Sequence, residues 1–260
     1  MTDGNLSKGG QPAARPDAAV LARYIDHTLL KPEAGRKDIE RLCEEALRHR
    51  FYSVCVNSVW VPVCREALAG SEVRISTVCG FPLGAAASKA KAFEAQQAAE
   101  EGAEEIDMVL QVGRLRDGDR DAVRRDIGEV VAAVRGRAIV KVIIETALLT
   151  DEQKVLACRL AEEAGAHFVK TSTGFGPGGA TENDVRLMRG SVSPHIGVKA
   201  SGGIRDLDAA LRMIAAGATR LGTSAGVAIM NGLANGLAAE GGFARGDSSP
   251  RETDGTGSAY

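Results

Sequence analysis

Three lysines sit within or at the end of apolar, strand-like runs: Lys141 in "AIVKVIIET", Lys170 in "HFVKTST" and Lys199 in "IGVKAS". The chain otherwise favours arginine, with 23 arginines to nine lysines. Arginine keeps its proton in a protein, whereas lysine can lose it. A site that needs a neutral amine must use lysine, while an anion site would accept either. The pattern therefore points to covalent amine chemistry. Burial and a neighbouring cation lower an amine's pKa, and the neutral form then attacks a carbonyl to give a Schiff base. Asp107, in "EIDMVLQV", supplies a carboxylate that can shuttle protons or pair with Lys199 or Lys141. The competing account is an internal salt-bridge network in which these lysines act only as charges.

The elements that must carry these groups repeat as a short apolar run, a loop and an amphipathic stretch. Strand-like runs begin at Tyr24, Tyr52, Val73, Glu105, Ala138, His167, Ile196 and Arg220. Helical patterns lie between them, among them "SKAKAFEAQQAAEEGA" and "TDEQKVLACRLAEEAGA". The second opens on Thr150, Asp151 and Glu152, a helix-start signal, and ends at Gly165. Eight alternating units in this length predict an α/β fold, a closed (β/α)8 TIM barrel. A doubly wound open sheet is the alternative, since alternation alone does not prove closure. The expected bounds are a flexible lead over 1–18, the barrel over 19–235 and a flexible Gly- and Ser-rich tail over 236–260.

Strand side chains alternate between faces, so parity separates the helix side from the barrel interior. Ile106, Met108 and Leu110 share one face; Asp107, Val109 and Gln111 share the other. Val140, Val142 and Ile144 are expected outside, leaving Ile139, Lys141, Ile143 and Glu145 inside. Lys170 with Ser172, Lys199 with Ser201, and Ser53 with Cys55 and Asn57 repeat the theme. Five strands thus put polar groups on one face. Unpaired charge in a barrel interior is costly, so these groups are expected to meet, with Lys170 and Lys199 on adjacent strands at matching depth.

Glycine-rich loops follow the last three strands. "GFGPGG" satisfies GxGxxG at Gly174, Gly176 and Gly179, yet Lys199 stands where a dinucleotide site wants an acidic residue, and Pro177 removes an amide. "STG", "SGGIRD" and "GTSAG" instead offer free N–H groups where barrels commonly hold a phosphate. Gly202, Gly203 and Ser224 are the expected contacts.

Composition narrows the class. The 260 residues are 44% hydrophobic and 25% charged, with a formal charge of −2, which suits one large domain, or two small ones, with a sizeable core. It argues against a nucleic-acid or membrane-surface partner, both of which favour a basic excess. No apolar run approaches membrane-spanning length, and no signal-like stretch opens the chain, so a cytoplasmic enzyme of small molecules is expected. The five cysteines lack CxxC spacing and the four histidines form no ligand cluster, so a metal mechanism has little support, and covalent amine chemistry on a lysine calls for no organic cofactor either.

Taken together, "IDHTLLKP", "EIDMVLQVG", "VKVIIET", "FVKTSTGF", "VKASGGIRD" and "LGTSAG", in this order from Tyr24 to Gly232, resemble the deoxyribose-phosphate aldolases, a class I aldolase family. The resemblance implies reversible cleavage of 2-deoxy-D-ribose 5-phosphate to acetaldehyde and glyceraldehyde 3-phosphate, in deoxynucleoside catabolism. It implies that Lys170 forms the Schiff base, that Lys199 depresses its pKa, and that Asp107 relays protons with Lys141 in support. Thr28, Cys55, Thr173 and Gly174 fall at pocket positions. Tyr260, the last residue, matches a tail tyrosine that assists proton transfer at the acetaldehyde carbon. Two positions depart from the pattern. Phe175 stands where some members carry a lysine for the substrate phosphate, so phosphate binding is expected to rest more on loop amides. Gln111 replaces an asparagine and is expected to alter pocket fit. Barrels of this kind often pair, and a homodimer is left open. The rivals are a barrel isomerase or synthase that uses the lysines only as charges, and a non-catalytic phosphosugar-binding protein.

Overall fold

The computed structural model describes residues 16–242. The expectations for a flexible lead, a flexible tail and Tyr260 fall largely or wholly outside that range. The first half of the chain runs α1 (Ala18–Ala22), β1 (Ile25–Leu29), α2 (Arg36–His49), β2 (Ser53–Val56), α3 (Val61–Ala67), β3 (Arg74–Cys79), α4 (Ser88–Glu101) and β4 (Glu105–Val109). There follow α5 (Val112–Arg116), α6 (Arg120–Ala133), β5 (Ile139–Ile143), α7 (Asp151–Glu163), β6 (Phe168–Lys170), α8 (Glu182–Ser191), β7 (Gly197–Ser201), α9 (Leu207–Ala215), β8 (Arg220–Thr223) and α10 (Gly226–Gly242). The eight strands pair in parallel, each with its successor, and β8 closes on β1. Closure excludes the open doubly wound sheet. Helix α10 continues beyond residue 235, where composition alone would end the barrel.

Helix starts follow local chemistry. Thr150 caps α7 by accepting from the Gln153 N–H, and the Gln153 side chain accepts from the Thr150 N–H in return. Asp119, Thr181 and Asp206 cap α6, α8 and α9 by accepting from the Ala122, Asp184 and Ala209 N–H groups. Each cap satisfies backbone donors that the helix itself leaves free.

The apolar core lies between strands and helices, not in the barrel lumen. Ile106, Met108, Val140, Val142, Ile144, Val169, Val198 and Leu221 face the helices and are fully buried. Barrel lumens are usually filled by branched aliphatic side chains. Here the inward positions of β1, β4, β5, β6, β7 and β8 carry Asp26, Glu105, Asp107, Lys141, Lys170, Lys199 and Arg220, all buried. Two glycines make room for this filling. A Cβ at Gly197 would run into the Phe168 ring, and one at Gly222 would stand 2.9 Å from Lys199 Cε.

Candidate active site

Register brings the charges together. Asp107 pairs with Lys141 across β4 and β5, and Lys170 pairs with Lys199 across β6 and β7. Asp107 Oδ1 accepts from Lys141 Nζ at 2.6 Å and from the Ser76 hydroxyl at 3.2 Å. Its Oδ2 accepts from both Lys170 Nζ and Lys199 Nζ, each at 2.8 Å. The network continues toward the N-terminal end of the barrel. Lys199 also reaches Asp26 Oδ2 at 2.5 Å, and Lys141 reaches Glu105 Oε2 at 2.7 Å. Arg220 Nη1 bridges Asp26, at 2.8 Å, and Glu105, at 3.2 Å. Its guanidinium lies 3.4 Å from the Tyr52 ring centroid and seals that end.

Three carboxylates therefore face four cations in the lumen. A fully ionised set would leave an uncompensated buried charge, an expensive state. Lys141, Lys199 and Arg220 each pair with two carboxylates within 3.2 Å, whereas Lys170 meets only Asp107 and shares that oxygen with Lys199. Lys170 is thus the cation that loses its proton at least cost. The pKa directions agree. Burial lowers that of Lys170, the Lys199 ammonium adds to the effect, and Asp107 only partly opposes it. Burial also works against charge on Lys199, but Asp107 and Asp26 override it and raise the group above its ordinary value. Asp107 is buried too, yet Lys141, Lys170 and Lys199 hold its carboxyl well below the usual range. The result is one amine whose pKa is lowered, beside neighbours whose charged forms are favoured.

Lys170 alone of this network reaches a cavity of about 390 Å³ at the C-terminal end of the barrel. Thr28, Thr173, Gly174, Gly202, Gly203 and Ser224 line it. Gly202 and Gly203 have positive φ, 85° and 81°, conformations that suit glycine. Gly179 packs so closely on Gly202 that a Cβ there would stand 2.4 Å from the Gly202 oxygen.

Two expectations are corrected. Gln111 does not enter the pocket: the chain leaves β4 after Val109, strand parity lapses, and the Gln111 amide donates to Asp126 Oδ1 at 3.1 Å. Asp126 is itself held by the fully buried Lys91 at 2.7 Å. Cys55 points into the lumen but lies beneath the cavity wall, in a small apolar cluster with Leu30 and Val78 against Phe81. Burial pushes its thiol up. The rim also carries two cations, because Lys31 and Arg205 line the cavity and are exposed to solvent. Phe175 also lines it and meets Phe81 edge to face at 5.3 Å.

Sequence reasoning missed Asp26, Glu105 and Arg220. The signal was available, since Asp26 shares inward parity with Thr28 and Glu105 with Asp107. Among the described residues, no group of three or more His, Cys, Asp or Glu side chains is placed to hold a metal ion, and no helix is long and apolar enough to cross a membrane.

The model of the DeoC/LacD family aldolases matches residues 20–239. The chain belongs to that family. Among relatives of this DeoC/LacD chain, deoxyribose-phosphate aldolase 1 of Bacillus licheniformis is 60% identical over 82% of this chain and 96% of its own length. The deoxyribose-phosphate aldolase of Geobacillus sp. is 58% identical over 82% of this chain and 95% of its own. A solved structure, the tetrameric deoxyribose phosphate aldolase from Aeropyrum pernix, superposes with a TM-score of 0.78 at 34% identity, covering 84% of this chain and 92% of that one.

Proposed function

We propose that the chain is a class I aldolase that reversibly cleaves 2-deoxy-D-ribose 5-phosphate to acetaldehyde and D-glyceraldehyde 3-phosphate, with Lys170 as the Schiff-base lysine. The observation that carries this reading is the placement of Lys170. It is the one network amine that opens on the cavity, with a single shared carboxylate and a charged lysine beside it. A charge-only anion site has no use for a cation destabilised by its own surroundings.

In this reading the neutral Lys170 amine attacks the C1 aldehyde of the open-chain sugar. Loss of water from the carbinolamine leaves an iminium, which withdraws electrons from C2. The C3 hydroxyl gives up its proton, the C2–C3 bond breaks, and glyceraldehyde 3-phosphate departs while the two-carbon fragment remains as an enamine. Protonation at C2 and hydrolysis release acetaldehyde and restore the amine. Asp107, at 2.8 Å from both Lys170 and Lys199, is positioned to pass protons between them, and Lys141 keeps it ionised. Lys31, Arg205 and the amides of Gly202, Gly203 and Ser224 receive the phosphate. Tyr260 is the proposed aid to protonation at C2. A cytoplasmic location and association between copies complete the proposal; the Aeropyrum pernix relative is tetrameric.

The test is intact-protein mass after incubation with acetaldehyde and borohydride, followed by peptide mapping. One reduced adduct on the peptide holding Lys170, absent in Lys170→Met, supports the reading. A folded protein with no adduct refutes it in favour of a barrel whose lysines act only as charges.

A further inference from the structure

Glu145 follows β5 directly and takes a left-handed backbone conformation, with φ of 54°. Non-glycine residues pay for that geometry in strain, and such strain gathers where function requires it. The side chain is 4% exposed. Its Oε2 accepts from the Thr173 hydroxyl at 2.5 Å and from the Thr173 N–H at 3.3 Å. Its Oε1 is buried without a hydrogen-bond partner among the described residues. Gly176 lies against the carboxylate, where a Cβ would stand 2.9 Å from Glu145 Cδ. The Thr173 hydroxyl, held by Glu145, accepts in turn from the Phe175 N–H at 3.0 Å. Thr173, Gly174 and Phe175 line the cavity.

A buried carboxylate on a strained backbone, aimed at a loop rather than at the lysine network, calls for a role in shaping that loop. We propose that Glu145 is a positioning residue for the substrate pocket: its carboxylate clamps residues 173–176 into the wall that receives the substrate. The proposal rests on the aldolase reading and deepens it by assigning support of the wall to one side chain. Lys170 takes its position from strand register and from Asp107, independently of Glu145. Loss of the clamp therefore weakens substrate binding and leaves the chemical step largely intact.

The experiment is steady-state cleavage of deoxyribose 5-phosphate by wild type, Glu145→Gly and Glu145→Gln, with circular dichroism to verify folding. Glycine adopts this backbone freely, so Glu145→Gly removes the carboxylate without adding strain. The expected result is a KM at least about tenfold higher with kcat within about threefold of wild type, in line with misplacement of binding groups. Glutamine retains an acceptor oxygen for Thr173 and should restore most of the affinity. A KM within twofold of wild type in folded Glu145→Gly overturns the proposal, as does a fall in kcat at unchanged KM. Should Glu145→Gly fail to fold, Thr173→Val decides. It removes the hydroxyl at the centre of the clamp and should raise KM likewise, with rescue by Thr173→Ser; an unchanged KM overturns the proposal. Wild-type protein without turnover removes the aldolase reading and this proposal with it. Wild-type turnover beside an unaffected variant removes this proposal alone.

Discussion

Replacing Lys199 by methionine removes one charge and little volume from the centre of the network. The two 2.8 Å contacts through Asp107 Oδ2 place the Lys170 and Lys199 nitrogens no farther apart than about 5.6 Å. At an effective dielectric of about 20, two like charges at that separation repel by about 3 kcal/mol. Without Lys199 that repulsion vanishes, and Asp107 and Asp26 each lose a counter-charge, so both changes favour an ammonium on Lys170. The sign is fixed: the Lys170 pKa rises, and its neutral fraction at pH 7 falls. About 3 kcal/mol corresponds to a fall on the order of a hundredfold. The assay is the initial rate of cyanoborohydride-trapped acetaldehyde adduct on Lys170, followed by intact mass across pH. The rate at pH 7 should drop by that factor, the acid limb should move to higher pH, and alkaline buffer should recover most of the rate. An acid limb that stays at its wild-type pH while the plateau falls would refute the charge argument and leave Lys199 a role in proton transfer alone.

Other consequences are as specific. Gly222→Ala places a methyl 2.9 Å from Lys199 Cε; because two carboxylates pin that amine, aldol turnover should fall about 10- to 100-fold with the barrel still folded by circular dichroism. Raising salt from about 0.05 to 0.5 M should increase KM for the phosphorylated substrate severalfold and leave kcat nearly constant, since Lys31 and Arg205 are exposed to screening and the lysine network is not; a kcat that tracks KM would contradict this. All five cysteines are buried, and burial raises Cys55 and takes Cys158 up to about 12. A thiol reagent at pH 8 should therefore find none in the native protein within minutes and all five in denaturant.

The central chemistry was legible because strand parity is strict. Once Lys170 and Lys199 are placed inward on neighbouring strands, and Asp107 inward on β4, pairing in register brings them together. The same rule reaches Asp26 and Glu105, but they matter only when three-dimensional proximity links them through Arg220, from the far end of β8, and no local spacing carries that. Gln111 was misplaced for the opposite reason: parity holds only while the strand lasts, and the chain turns after Val109. Lys31 and Arg205 are ordinary surface cations in sequence, and only the folded loops bring them to one rim. Glu145 was expected inside, but its backbone turns left-handed at the strand end and directs the carboxylate to the loop, which an alternation rule does not anticipate.

The Arg220 guanidinium stacked on Tyr52 has a consequence for traffic. With the lumen filled by interlocked charges down to that lid, the barrel is a cup, and substrate and both products share one mouth. In the proposed reaction the two-carbon fragment is tethered to Lys170 at the bottom of the cup, with the phosphorylated fragment above it. Departure is then ordered by geometry as well as by chemistry: glyceraldehyde 3-phosphate leaves first and acetaldehyde second. In the synthetic direction acetaldehyde must enter first, because a phosphorylated acceptor already seated at the rim would block the approach to the amine.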